Sequence, residues 1–441
     1  MKILFIQPGV GKKKKYIKTW QMEPLMIAQL AALTPPGVQV KFFDDRIEEI
    51  DFNEPADLVA VTVETYTAKR AYEISNRFRT RGIHVVLGGY HPTLVPEEAK
   101  EHADSIVIGE AEDTWPELIS DAESGRLKKV YEMPLTRYPE GLMPDRSIYK
   151  TKKYIPIRLI ESARGCRFDC RFCSVTQFFN HTYKPRLVED VIEDIHRGGK
   201  KKIFFVDDNI VTDINRTKNL LRALIPLKIQ WAGQGIISLA DDPELLMLLK
   251  RSGCRVLLIG FESLDKETLG KMNKSWNRSP EYYEESIRKI HKAGIGIYAT
   301  FVFGLGNEDE QTFEETFNFA RRNRFLFAGF NHLVPFPGTP VYNELKGSGR
   351  LLFEQWWLKD GYNYGEICFK PERLSPENLS RLCVNTRRRF FSLGSILYRA
   401  LNFRANLQSI PFSVIYFGQN LLQRKEVEMK YGMPLGSGFD K

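Results

Sequence analysis

The chain has 441 residues, 43% of them hydrophobic and 27% charged, enough for two or three globular cores and unlike a disordered or fibrous protein. Its formal charge of +9 points to an anionic partner such as nucleic acid, a lipid surface or a phosphate-bearing substrate, although the excess is spread along the chain. The opening MKILFIQPG lacks the pattern of a secretory signal and no run of about 18 apolar residues occurs, so a cytoplasmic protein with reduced cysteines is expected.

Residues 1–125 alternate short apolar runs with amphipathic stretches. KILFIQP, VQVKFFDD, LVAVTV, VVLGG and SIVIGE read as five strands, with helix-period segments such as PLMIAQLAAL and AYEISNRFR between them. Such βαβ units imply an α/β, doubly wound, flavodoxin-like (Rossmann-type) domain that takes ligands at the carboxyl ends of its strands. Residues 126–155 carry Pro134, Pro139 and Pro144 with little periodicity and read as a linker.

Residues 156–345 repeat a strand–helix pattern six times, from IRLIESA to FAGFNHLVPF. This predicts a partial (β/α)6, TIM-like barrel with its site at the carboxyl ends of the strands. Residues 346–441 are aromatic and basic, with Trp356, Trp357 and RRRFF, and read as a mainly helical C-terminal region.

Directly after the first barrel strand, ARGCRFDCRFC places Cys166, Cys170 and Cys173 in a C-x3-C-x2-C spacing. Thiolates suit zinc or iron–sulfur clusters, but structural zinc requires four ligands, and His181 is the sole nearby candidate for the fourth. A 4Fe-4S cluster held by three cysteines leaves one iron open to a chelating small molecule. Arg164, Arg167 and Arg171 are expected to add positive charge beside it, while Cys254, Cys368 and Cys383 read as packing thiols.

The C-x3-C-x-Φ-C pattern formed by Cys166, Cys170, Phe172 and Cys173 resembles that of the radical S-adenosylmethionine superfamily. The resemblance implies an enzyme whose metal ligands are those three cysteines. A 4Fe-4S cluster there cleaves S-adenosylmethionine reductively to a 5′-deoxyadenosyl radical, with an external donor of flavodoxin or ferredoxin type supplying electrons. It places Phe172 near the adenine, and Asp207, Asp208, Gln234, Ser238 and Glu262 at strand ends as S-adenosylmethionine contacts. The simpler reading of Asp208 is a turn-shaping role. Tyr298 and His332 read first as packed core residues, with the reaction chamber as the alternative.

The first domain resembles the cobalamin-binding domain that precedes the radical barrel in one subgroup, the hopanoid methylases among them. The implied cobalamin contacts are Pro8 after strand one, Thr62, Glu64 and Thr65 after strand three, Gly88 and Gly89 after strand four, and Gly109 and Glu110 after strand five. The strand-one loop QPGVGKKKK departs from the cobalt-ligating pattern by lacking a histidine. The subgroup implies cobalamin-dependent C-methylation of an unactivated carbon, with radical cyclisation or carbon-skeleton rearrangement as the alternative.

A zinc or nucleic-acid-binding protein is the alternative from another class. No fourth thiolate ligand or aromatic-basic platform supports it, and no nucleic acid is expected. SLGSILYRALNFRANLQSIPFSVIYFGQNLL is amphipathic and basic, which suits a cap burying its apolar face on the barrel and showing Arg399 and Arg404 to water. It also suits an anionic membrane surface, with the protein peripheral at the inner face. A small-molecule or lipid-like substrate follows, with Trp356 and Trp357 as candidate pocket residues.

Overall fold

The computed structural model describes residues 1–11, 21–274 and 280–439; Lys12 to Lys15 of the strand-one loop lie outside them. In the first sheet, β1 (Lys2–Gln7), β2 (Gln39–Asp44), β3 (Leu58–Thr62), β4 (His84–Gly88), β5 (Ser105–Ile108) and β6 (Val130–Glu132) lie in the order β2-β1-β3-β4-β5-β6. All its pairings are parallel. Leu4, Ile6, Val59 and Val61 feed one core, while Ile3, Phe5, Leu58 and Ala60 feed another. Burial on both faces explains why these strands read as unbroken apolar runs.

Strand β6 is a sixth where five are expected, and it falls in the stretch read as a linker. Its three residues bury only Tyr131, too short a pattern to register as a strand. The same stretch packs on the first domain, where the Tyr149 hydroxyl donates to the Pro24 carbonyl (2.5 Å) and accepts from the Ala28 amide (3.1 Å).

The second sheet contains β7 (Arg158–Ile160), β10 (Lys202–Phe205), β11 (Gln230–Gly235), β12 (Cys254–Glu262), β13 (Gly296–Phe303) and β14 (Phe327–His332). Its parallel order β14-β13-β12-β11-β10-β7 leaves β7 and β14 at the edges, an open six-stranded barrel. Between β7 and β10, β8 (Ala163–Gly165) and β9 (Tyr183–Pro185) form a separate antiparallel pair. One apolar cluster runs from Val61 and Leu87 through the barrel to Trp356, Trp357 and Phe390.

The C-terminal region holds helices Pro376–Phe390, Leu393–Ala400, Phe403–Asn406 and Ile410–Lys430. Two expectations are corrected here. Trp356 and Trp357 belong to the core, their indole N–H groups donating to the Pro335 carbonyl (3.1 Å) and to Glu98 (3.0 Å), because buried indoles require acceptors. Arg399 is fully buried, donating to the Phe325, Leu326 and Phe390 carbonyls and to Asn420, while Leu397 and Leu401 on the other side are 61% and 49% exposed. The cap is therefore inverted at this point, since an arginine can saturate several orphan carbonyls that leucine cannot.

Candidate active site

The β8–β9 pair closes the base of the cysteine loop. Gly165 sits at φ +77°, and a Cβ there would lie 2.1 Å from the Thr182 carbonyl oxygen, so the closure requires glycine. Within the loop the Cys173 amide donates to the Cys170 carbonyl (3.0 Å), and Cys173 precedes helix Ser174–Phe178. Outside it, the Arg171 amide donates to the Met272 carbonyl (3.2 Å), its guanidinium to Glu344 (2.6 Å), and Asn273 to the Asp169 carbonyl (2.8 Å).

The three thiols face one cavity, of about 1170 Å³ empty volume, also lined by Phe172, Asp208, Asn209, Gln234, Glu262, Lys274 and Asn331. Burial raises all three thiol pKa values, that of Cys170 to about 12. They become thiolates when a metal replaces the proton. Among the described residues no group of three His, Cys, Asp or Glu side chains is arranged to hold one ion. Three thiols that share a chamber without converging on a point fit a cluster, in which each binds a separate iron.

None of the three arginines expected beside the thiols lines this cavity. Arg171 is turned to Glu344, Arg167 lies 5.4 Å over the Tyr183 ring, and Arg164 reaches into the first domain. The β8–β9 pairing, which short segments do not announce, carries Arg164 and the Tyr183 ring under Arg167, while Arg171 is held by Lys271, Met272 and Glu344.

The strand-end residues divide. Asp207 is buried and accepts from both the Ser162 amide (2.7 Å) and the Ser162 hydroxyl, locking β10 to the end of β7; it does not line the cavity. Asp208 does, accepting from the Gly165 amide (2.9 Å), and burial raises its carboxyl pKa to about 6. Gln234 lines the wall, whereas Ser238 lies beyond it in a short helical turn.

Glu262 is at φ +63°, next to a register shift between β12 and β13, and its Oε1 accepts from Lys274 Nζ at 2.7 Å. Lys274 also donates to the Gly260 carbonyl (3.0 Å), and a Cβ on Gly260 would come within 2.1 Å of the glutamate oxygen. Sequence reading missed Lys274, because it stands twelve residues past Glu262 without a local pattern.

A second cavity, of about 1120 Å³ empty volume, opens at the carboxyl ends of the first sheet. Thr62, Glu64, Gly88, Gly89, Gly109 and Glu110 line it; Pro8 and Thr65 do not, Thr65 instead meeting His91 at 3.4 Å. Gly89, at φ +106°, has no room for a Cβ beside Val63, and Gly109, at φ +79°, faces open space. With Ile27, Leu30, Val86 and Phe178 as walls, this floor of backbone fits a large flat ring. Glu64 is accessible through the cavity it lines, and the protein mass around that cavity desolvates its carboxyl and raises its pKa.

Glu110 has a further role. It pairs with Arg164 (3.3 Å) and with Lys184, while Arg164 also pairs with Glu161 (2.9 Å) and Glu112. These side chains are nearly buried and tie the first domain to the β8–β9 pair.

The radical SAM superfamily domain matches residues 160–320 and the B12 binding domain residues 22–119. The bacteriochlorophyllide d C-12(1)-methyltransferase of Chlorobaculum tepidum is 32% identical over 91% of this chain and 88% of its own length. The chain belongs to the cobalamin-dependent radical S-adenosylmethionine methyltransferases. A second relative from the same organism, the bacteriochlorophyllide d C-8(2)-methyltransferase, is 30% identical over 93% of this chain and 94% of its own. The fold matches that of the radical S-adenosylmethionine methyltransferase TsrM from Kitasatospora setae, solved with cobalamin and a [4Fe-4S] cluster bound. Its TM-score is 0.66 at 18% identity, covering 97% of this chain and 99% of that one.

In this methyltransferase a third cavity, of about 1250 Å³ empty volume, lies between β14 and the C-terminal helices, lined by Tyr298, Asn331, His332, Tyr364, Arg387 and Gln423 among others. Tyr298 and His332 thus face a chamber, which corrects their reading as packed core. His332 Nδ1 lies 2.8 Å from the Leu333 carbonyl, to which it must donate, leaving Nε2 as an acceptor; burial pushes its pKa to about 4. Asn331 belongs to both this cavity and the thiol cavity. Tyr66, two residues after Glu64 of the second cavity, lines the third.

Proposed function

We propose that this methyltransferase transfers a methyl group to an unactivated carbon of an amphiphilic small molecule held in the third cavity. Cys166, Cys170 and Cys173 hold the 4Fe-4S cluster. Phe172, Asp208, Gln234 and Glu262 surround S-adenosylmethionine, and Thr62, Glu64, Gly88, Gly89, Gly109 and Glu110 surround cobalamin. The bound cofactors supply reductive cleavage and the transferable methyl group, while the chain binds, orients and excludes water.

The observation that carries this reading is the meeting of the cavities: Asn331 is shared by the thiol and third cavities, and the segment from Thr62 to Tyr66 borders the second and third. A substrate there is within reach of both cofactors. Asp207, already committed to Ser162, serves the scaffold, and Ser238 lies outside the wall.

The third cavity combines tyrosines with Arg387, Glu426, Asn331 and Gln423, a mixed polar wall that suits an amphiphile better than a plain hydrocarbon. The bacteriochlorophyllides named for its relatives are one such class. Arg387 donates to the Phe330 carbonyl (3.0 Å) and to Asn331, which fixes its guanidinium in the wall. A flavodoxin or ferredoxin type of donor supplies electrons.

The test is anaerobic reconstitution with iron, sulfide and cobalamin, followed by turnover with methyl-labelled S-adenosylmethionine and amphiphilic small molecules. About four irons per chain, bound cobalt and labelled product are expected. A protein that takes up zinc and no iron would refute the reading.

A further inference from the structure

The C-terminal helices turn apolar side chains outward. Leu393, Leu397 and Leu401 form a stripe at 57%, 61% and 49% exposure, followed by Phe403 at 65%, Ile410 at 84% and Val414 at 68%. The opposite sides are filled: Ile396, Ala400 and Tyr416 pack on Leu326, and Arg399 is saturated by carbonyls. These leucines are therefore not spare core residues awaiting a neighbour within the chain. Contiguous exposed apolar surface of this kind marks a site of association.

Charge indicates the partner. Residues 378–425 contain eight lysines and arginines and no aspartate or glutamate; Arg387 and Arg399 are held inside the protein and Arg381 and Arg389 pair with Glu310 and Glu314, while Arg404, Arg424 and Lys425 lie on the exposed side. Exposed Arg404 directly follows Phe403, and exposed Arg424 and Lys425 follow Leu421, itself 44% exposed.

Beside Leu401 and Phe403 lies a cleft of about 680 Å³ empty volume, lined by Arg288, Lys292, Arg322, Arg324 and Arg404, with no carboxylate in its wall among the described residues. Glu284, outside that wall, pairs with Arg322 (2.6 Å), and Arg324 donates to the Leu401 carbonyl (3.4 Å), so the cleft is anchored to the apolar stripe.

From this juxtaposition of an outward apolar face and an acid-free cationic cleft, we infer that the C-terminal helices dock on an anionic phospholipid bilayer, with lipid phosphates in the cleft. Among the described residues no helix is long and apolar enough to cross a membrane, so the contact is interfacial. A protein partner would have to offer an apolar face ringed by acids; a bilayer of anionic lipid presents both features over any area.

The inference does not depend on methyl transfer, because binding is read without turnover. The reconstituted full chain is sedimented with vesicles of phosphatidylcholine, alone or mixed with phosphatidylglycerol. Binding to the mixed vesicles, weakened by salt, is expected. Arg288→Gln with Arg404→Gln should lower it by roughly tenfold or more, and Leu397→Ser with Phe403→Ser should remove most of it. Both variants should keep wild-type formation of 5′-deoxyadenosine, which certifies their fold. Absence of binding to mixed vesicles at low salt would overturn the inference. So would a lipid-free dimer that the Leu397→Ser and Phe403→Ser changes dissolve, since the face would then belong to a second copy.

Discussion

Tyr90 and Phe178 stack with ring centroids 4.2 Å apart and planes 21° apart, joining the glycine pair at the end of β4 to the helix that follows Cys173. Both rings line the second cavity, and Asp208 and Cys173 are near enough to influence the Tyr90 phenol, whose pKa is raised chiefly by burial. A short aromatic bridge thus separates the two cofactor chambers. Tyr90→Ala should weaken cobalamin retention by about tenfold while iron content stays at the wild-type value, measured by optical titration and iron analysis. Tyr90→Phe, which keeps the stack, should behave as wild type.

Lys274 is the counter-ion of Glu262 in a nearly buried pair. Lys274→Met leaves that carboxylate without its cation, a change that costs about 3–5 kcal/mol when the pair is buried. Thermal unfolding should fall accordingly, and the KM for S-adenosylmethionine should rise. The paired change with Glu262→Gln should recover most of the stability and little of the KM, which separates folding from cofactor binding.

Arg164 joins the domains through Glu110, Glu112 and Glu161. Arg164→Leu leaves Glu112 without its cation and Glu110 with Lys184 alone, and residues 133–157 should become a site of fast proteolytic cleavage that releases the first domain. Arg164→Lys retains the charge but loses the fork that reaches several acids at once, so intermediate protection is expected.

Burial pushes the His291 pKa from 6.5 to about 4, and its Nε2 has no hydrogen-bond partner. Between those values the folded chain binds fewer protons than the unfolded one. Its contribution is complete above pH 6.5 and is lost as pH falls toward 4, by as much as about 3 kcal/mol. Asp207 and Asp208, raised to about 6, act in the opposite sense and favour the folded chain in acid. Comparison with His291→Gln isolates the effect: denaturant midpoints measured across pH should shift in favour of the variant only below about 6.5.

Local patterns carried the fold and the gathering of the three thiols. The apolar runs of both sheets and the spacing of Cys166, Cys170 and Cys173 involve neighbours in sequence, so they were legible there. Orientation at strand ends was not: Asp207 and Asp208 are adjacent, yet one faces Ser162 and the other the thiol chamber, because both lie past the end of β10, where no strand period sets their direction. Lys274, Asn331 and Tyr90 came into view only through tertiary folding. The inverted cap was hidden because a helix with apolar residues on both faces does not reveal which one meets the barrel, and the Arg399 carbonyl partners come from Phe325, Leu326 and Phe390.

The three-thiol chamber is tested by the yield of 5′-deoxyadenosine from anaerobically reconstituted, reduced protein given S-adenosylmethionine. The wild-type chain should form it, and Cys173→Ala, with the fold intact, should form none above the protein-free control. An equal yield from Cys173→Ala would contradict the assignment of these cysteines to the cluster that opens S-adenosylmethionine.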